Sequence, residues 1–172
     1  MPIHYLLGLN YYRQADYAHS VEQLNHVLKL SPDYALAVFQ LGLAYAHNGD
    51  YASAITTLQR ALQLDKTNYA AAYNLGAAYA QSKQYPAAEA AFRQTVALAP
   101  DYSLGHNALG QMLLFDGLYD QALAEFGRAA ELAPEQPGPH LSLAKAYSAK
   151  GMTAQAGEEM RKAQQLQAEP KP

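Results

Sequence analysis

The chain has 172 residues, with 12 Lys and Arg against 15 Asp and Glu and a formal net charge of −3. Half of the residues are hydrophobic and 16% are charged; the charged share is below the roughly 25% usual in soluble domains, and that much apolar side chain excludes disorder as the main state. The lack of cysteine excludes a disulfide framework, a thiolate zinc site and a cysteine nucleophile, and the missing basic excess argues against a general nucleic-acid binder.

Along the chain one pattern returns at a fixed step. Leu7-Gly8 with Tyr11 is followed 34 residues on by Leu41-Gly42 with Tyr45, and at the same step by Leu75-Gly76 with Tyr79. Leu109-Gly110 continues the series with Leu113 in the tyrosine's place, and Leu143-Ala144 with Tyr147 ends it. A second series is Tyr17, Tyr51, Tyr85 and Tyr119. Small residues recur at Ser20, Ala54, Ala88, Ala122 and Ala156, and bulky ones at Leu24, Leu58, Phe92, Phe126 and Met160. Five windows (1–34, 35–68, 69–102, 103–136 and 137–170) follow without insertion, leaving 171–172 as a tail. Self-similarity at such a period is the mark of a repeat architecture.

Each window reads as two amphipathic helices joined by a tight turn. In the second, Phe39, Leu41 and Tyr45 fall on one helix face. Asn48-Gly49-Asp50 breaks that helix. Ala54, Ile55, Leu58, Ala61 and Leu62 then form the next apolar stripe. Gly42 and Ala54 are expected where two helix backbones approach. Caps for the following first helices are expected at Ser31 or Asp33, at Asp65 or Thr67, and at Asp101 or Ser103. The fifth window differs: Gly157 and Gln164 replace apolar residues, and Gln155, Glu158, Glu159, Arg161, Lys162 and Gln165 make its second helix polar. That is the wet face of a terminal repeat, and Glu169-Pro170-Lys171-Pro172 reads as a stop close to a natural C-terminus.

This arrangement resembles the tetratricopeptide repeat family over essentially the whole chain. The tryptophan often found near each repeat start is His4, Val38, Ala72, His106 and His140 here, and the closing prolines at 32, 100 and 134 are missing at Lys66 and Ala168. The resemblance implies an all-α fold, a right-handed α-α superhelix of ten antiparallel helices over residues 1–170. It also implies that the first helices line a concave groove where partners bind.

The first 13 residues of the five windows contain no Asp or Glu and only two basic residues, Arg13 and Lys145. The groove lining is expected to be Tyr5, Leu9, Tyr12 and Arg13; Phe39, Leu43 and His47; Tyr73, Asn74 and Gln81; and Asn107, Gln111, Leu114 and Phe115. An aromatic, weakly charged surface suits an apolar peptide or amphipathic helix laid in a groove. Burial of first helices in the stack also removes charge, and self-association through the same face is the alternative use. Family members that hold a C-terminal carboxylate do so with inner-face Lys, Arg and Asn. The matching places here are Tyr5, Leu9, Arg13, Gln40, His47, Ala70 and Asn74, of which Arg13 and Asn74 alone fit. An asparagine ladder would need more than Asn74 in a row otherwise filled by Leu6, Gln40, Ala108 and Ser142.

Convergent chemistry is not visible. His4, His106 and His140 share one repeat phase, too far apart for one metal ion, and are expected to be half-buried rings in the tryptophan's place. His19, Glu22 and His26 make a weak adventitious set at best. Glycine-rich phosphate loops, Gly-x-Ser-x-Gly and HExxH are all missing. The expected protein is a non-catalytic interaction module with no cofactor, no metal and no nucleic-acid ligand. No apolar run approaches a membrane span, and Met1-Pro2-Ile3-His4-Tyr5 does not begin like a signal peptide, so a cytoplasmic setting is expected.

Overall fold

The computed structural model describes residues 2–168, and every regular element among them is an α-helix. In chain order these are α1 (Pro2–Arg13), α2 (Tyr17–Leu30), α3 (Ala35–His47), α4 (Tyr51–Leu64), α5 (Tyr69–Gln81), α6 (Tyr85–Leu98), α7 (Ser103–Phe115), α8 (Tyr119–Leu132), α9 (Pro137–Ala149) and α10 (Thr153–Ala168). The expected ten helices are thus present, and α3, α5, α7 and α9 each occupy the first 13 positions of their windows. The chain divides into two compact units, Met1–Gln94 and Thr95–Pro172. No helix among the described residues is long and apolar enough to cross a membrane.

One turn closes every hairpin. Residues 15, 49, 83, 117 and 151 all take positive φ, as Ala15 (59°), Gly49 (81°), Lys83 (61°), Gly117 (74°) and Gly151 (79°). That left-handed residue swings the next N–H back over the helix end. The N–H groups of Asp16, Asp50, Gln84, Leu118 and Met152 then donate to the carbonyls of Tyr11, Tyr45, Tyr79, Leu113 and Tyr147 at 2.9–3.0 Å. This is a Schellman closure. Asp16 and Asp50 cap the helix that follows, accepting from the N–H of His19 (3.2 Å) and Ser53 (3.1 Å). The Ser53 hydroxyl and N–H at Asp50, and the His19 N–H and ring at Asp16, hold both carboxyls below the usual aspartate range.

A side chain with a Cβ costs about 1–2 kcal/mol in left-handed geometry, partly offset by the extra freedom glycine brings to the unfolded chain. Ala15→Gly and Lys83→Gly are therefore each expected to stabilise by about 0.5–1 kcal/mol. Urea denaturation followed by circular dichroism checks this through a raised midpoint at unchanged slope.

The first-helix caps differ from expectation. They stand at Tyr34, Asn68, Tyr102 and Gln136, the last residue of each window. Asn68 alone of these caps with its side chain, accepting from the Ala71 N–H at 2.9 Å. Asp65 instead organises the turn, accepting from the N–H (3.0 Å) and hydroxyl (2.7 Å) of Thr67. Ser31 ends α2, and the Ser103 hydroxyl donates to the Ala129 carbonyl at 2.8 Å.

The Leu-Gly motif marks a close helix approach, with the Leu58 backbone nitrogen 3.4 Å from where a Cβ on Gly42 would stand, but a side chain there would strike the facing bulky residue first. A Cβ on Gly8, Gly42, Gly76 or Gly110 would lie 2.9, 2.7, 2.7 or 2.6 Å from a side-chain atom of Leu24, Leu58, Phe92 or Phe126. Each glycine is a socket for the bulky residue 16 positions on, in the second helix of its own hairpin. These bulky residues are buried in the core. In the fifth hairpin Ala144 fills the socket, and its counterpart Met160 is 40% exposed.

A polar pair pins three hairpins. The ring Nδ1 of His4, His106 and His140 lies 2.8, 2.7 and 2.6 Å from a side-chain oxygen of Gln23, Glu125 and Glu159. These rings are half-buried, as expected of the tryptophan's place. Burial alone would raise the Glu159 carboxyl, but hydrogen bonds from Lys162 and His140 outweigh it and hold the group below the usual glutamate range.

In unit 1 the core consists of two clusters. Leu24, Val27, Ala37, Leu41 and Ala44 join α2 to α3. Val38, Ala54, Leu58, Ala61, Ala71, Leu75, Ala78 and Ala91 join α3 to α4, α5 and α6. In unit 2, Leu109, Leu113, Ala122, Phe126 and Ala129 are buried on α7 and α8, with Leu143, Ala144 and Ala146 on α9.

Candidate functional site

In unit 1 the expected lining residues sit on α1, α3 and α5, and the aromatic ones are half-buried. Tyr5 and Tyr12 lay one side against the cluster of Leu24, Val27 and Leu41. Phe39 packs on the Val38–Leu58–Leu75 cluster, and Tyr73 lies against Phe92 with ring centroids 5.8 Å apart. Burial raises the phenols of Tyr5, Tyr12 and Tyr73 above the usual tyrosine range, helped by Tyr34 beside Tyr5 and Tyr17 beside Tyr12. These hydroxyls therefore remain neutral at physiological pH.

Three rings meet where α1 and α3 end. Tyr12, Tyr17 and His47 have centroids 5.3–5.5 Å apart, and Tyr12 meets His47 edge-on. The Tyr12 hydroxyl is 3.2 Å from His47 Nδ1, which also lies 2.9 Å from the Leu43 carbonyl. The first of these contacts ties the first repeat to the second. Tyr5 is paired with Tyr34 at 5.3 Å. Tyr17 and Tyr34 were not among the expected lining residues. Tyr17 belongs to the series read as packing, while Tyr34 and Tyr102 share the last position of their windows, outside every repeating series.

His47, Asn74 and Gln81 come together. With Ala46, Tyr51, Ala77 and Ala78 they line a cleft of about 210 Å³. Asn74 Nδ2 donates to the Ala70 carbonyl at 2.8 Å, which fixes the amide and leaves its oxygen free to accept. Leu9 is half-buried on α1 and Arg13 is exposed at its end. A larger cleft of about 480 Å³, lined by Asn25, Thr56, Thr57, Gln59 and Arg60 of α2 and α4 over Val38 and Leu41 of α3, was not foreseen. Arg60 there is engaged by the Pro32 carbonyl at 2.7 Å and Asp33 at 3.2 Å.

In unit 2, Gln111 and Phe115 are exposed on α7. Asn107 lines an apolar cleft of about 380 Å³ with Ser103, Leu104, Ala133, Gln136, Gly138 and Pro139. Its Oδ1 is buried without a hydrogen-bond partner. His19 is bonded to Asp16 at 2.7 Å, and His26 stacks on His4 while facing Glu22 at 3.9 Å. No group of three or more His, Cys, Asp or Glu able to hold a metal ion occurs among the described residues.

Tetratricopeptide repeat profiles match residues 5–69 and 45–112. No curated protein matches the chain. A crystal structure of MamA is 25% identical, with 94% of each chain covered and a TM-score of 0.87. MamA from Desulfovibrio magneticus RS-1 is 23% identical with a TM-score of 0.89, covering 96% of this chain and 94% of that one. YrrB, described as a TPR protein with an unusual peptide-binding site, is 21% identical with a TM-score of 0.80, covering 95% and 84%. Helical hairpins at a 34-residue step, a glycine socket in four of them and these matches lead to one assignment: the chain belongs to the tetratricopeptide repeat family.

Proposed function

We propose that the chain is a non-catalytic protein-interaction module that takes an apolar or aromatic segment of a partner protein against the first helices of unit 1. The observation that carries this reading is the neutrality of those helices. They hold aromatic rings, amides and two imidazoles, His4 and His47, with Arg13 as the single fixed charge. An apolar segment laid there desolvates no carboxylate or ammonium, so its burial is not offset by that penalty. Tyr5, Tyr12, Phe39 and Tyr73 supply rigid area, and Asn74, Gln81 and His47 supply polar contacts that fix register. In unit 2 the cleft at Asn107, with Gln111 and Phe115 on the same helix, offers a separate contact of the same character.

Phe39 and Tyr73 support the core, so removing them would mix binding with stability. His47 and Gln81 are exposed, so changing them removes less packing, and unchanged circular dichroism and urea midpoint check that losing the Tyr12–His47 contact leaves the fold intact. Selection from a random peptide library displayed on phage is expected to enrich Tyr-, Phe-, Trp- and Leu-rich sequences. His47→Glu with Gln81→Glu is expected to weaken the selected peptides at least ~10-fold, since a carboxylate must then be desolvated. Enrichment of acidic or basic peptides, or binding indifferent to both substitutions, would overturn the reading.

A further inference from the structure

We infer that the outward face of α1 is a self-docking surface through which two copies of the chain pair symmetrically. Ile3, Leu6, Leu7 and Asn10 follow the 3–4 spacing of one helix face. Ile3 is 66% exposed, Leu6 62% and Leu7 38%. The same window positions elsewhere are closed: Ala37 and Ala71 replace Ile3 at 0%, and Leu41 and Leu75 replace Leu7 at 5% and 6%. In those helices the face is covered by the preceding hairpin. Among the described residues nothing covers it on α1. At the end of α2, Leu30 is 67% exposed where its counterpart Leu64 is 37% exposed.

The side chains choose between occupants. A further hairpin stacked as the others are would meet Ile3 where the interior slots hold Ala37, Ala71, Gly105 and Pro139, all smaller, and overpacking of that kind is destabilising. Leu6 stands where later repeats have Gln40, Asn74, Ala108 and Ser142, so this face carries more apolar side chain than an interior one. Head-to-tail pairing would bring α10 onto α1. The α10 positions matching Val21 and Leu28 are Gly157 and Gln164, and both are exposed. That leaves the face itself as its best match. It carries no charge, so a two-fold pairing sets no like charges together, and an isologous contact closes at two copies.

Each copy would contribute only a few exposed apolar side chains, chiefly Ile3, Leu6, Leu7 and Leu30, less than the roughly 600 Å² a side that stable interfaces bury. The pair is therefore weak, with dissociation expected in the range of tens to hundreds of micromolar.

Sedimentation velocity of the 172-residue chain from about 5 µM to about 500 µM tests this directly. The weight-average mass is expected to rise from 18.7 kDa toward twice that value and no further. Ile3→Glu with Leu6→Glu is expected to hold the chain monomeric at all concentrations with unchanged helical circular dichroism, because both side chains face solvent in the monomer. A monomer throughout, growth beyond two copies, or a dimer untouched by these substitutions would overturn the inference. So would a dimer dissolved by His47→Glu with Gln81→Glu, because that would put the self-contact on the first-helix face of the candidate site.

Discussion

Phe126→Ala is expected to cost about 3–5 kcal/mol, the largest effect of any single substitution considered. Phe126 is fully buried and its ring fills the socket left by Gly110, 2.6 Å from where a Cβ would stand. Two terms add: the lost transfer of the ring from water, and a cavity that the surrounding helices cannot close. The cavity persists because the wall opposite is backbone at Gly110, fixed by the helix ladder of α7, and cannot move in as a side chain might. The loss should register first in unit 2. Native-state hydrogen exchange is expected to show amides of α7, α8 and α9 opening well before those of α3 and α4. Equal loss of protection throughout the chain would show that stability is not carried hairpin by hairpin, contrary to nearest-neighbour behaviour in repeat proteins.

Gly110→Ala is the converse experiment. The added methyl enters a space that the Phe126 ring already holds, and relief requires an off-rotamer ring or a helix shift, at a cost of about 1–3 kcal/mol. The fifth hairpin shows how the clash can be avoided. There Ala144 occupies the glycine's place, and the residue 16 positions on is Met160, an unbranched side chain that adapts its path. Gly110→Ala combined with Phe126→Met is therefore expected to be more stable than the sum of the two single changes by at least about 1 kcal/mol. A double-mutant cycle in urea measures this coupling. Additive costs would mean that glycine is required at this position for another reason.

Those two experiments concern a relationship only half visible in the sequence. The 34-residue step located the helices well, because one register fixes every hairpin once it is found: α3, α5, α7 and α9 begin where their windows begin. The pairing of Gly42 with Leu58 was hidden, since both belonged to recognised series whose mutual contact only the hairpin geometry reveals. Caps were misplaced because Ser31, Asp33 and Asp101 are good capping residues by type. The chain enters the helix one to three residues later, and Tyr34 and Tyr102 cap by backbone geometry alone. The left-handed residue was legible at Gly49 but not at Ala15 or Lys83, where the Schellman bonds of the turn override side-chain preference.

The candidate site was legible in its charge pattern. Its geometry was not. Tyr5, Tyr12, Phe39 and Tyr73 fall off the repeating core series, yet each lays part of its ring on buried neighbours. A half-buried ring stabilises the hairpin and still offers an edge, and periodicity does not distinguish that state from full exposure. Tyr17 packs as its series implies, but its neighbours are the rings of Tyr12 and His47, which the series does not reveal. Tyr119 of that same series is 37% exposed.

The neutrality of the first-helix face is the claim on which the functional reading rests. Titration calorimetry of one phage-selected aromatic peptide, against the native chain and against the His47→Glu, Gln81→Glu variant, tests it most directly. Saturable binding by the native chain with at least ~10-fold weaker binding by the variant is the expected result. Equal affinity for the two proteins would contradict it.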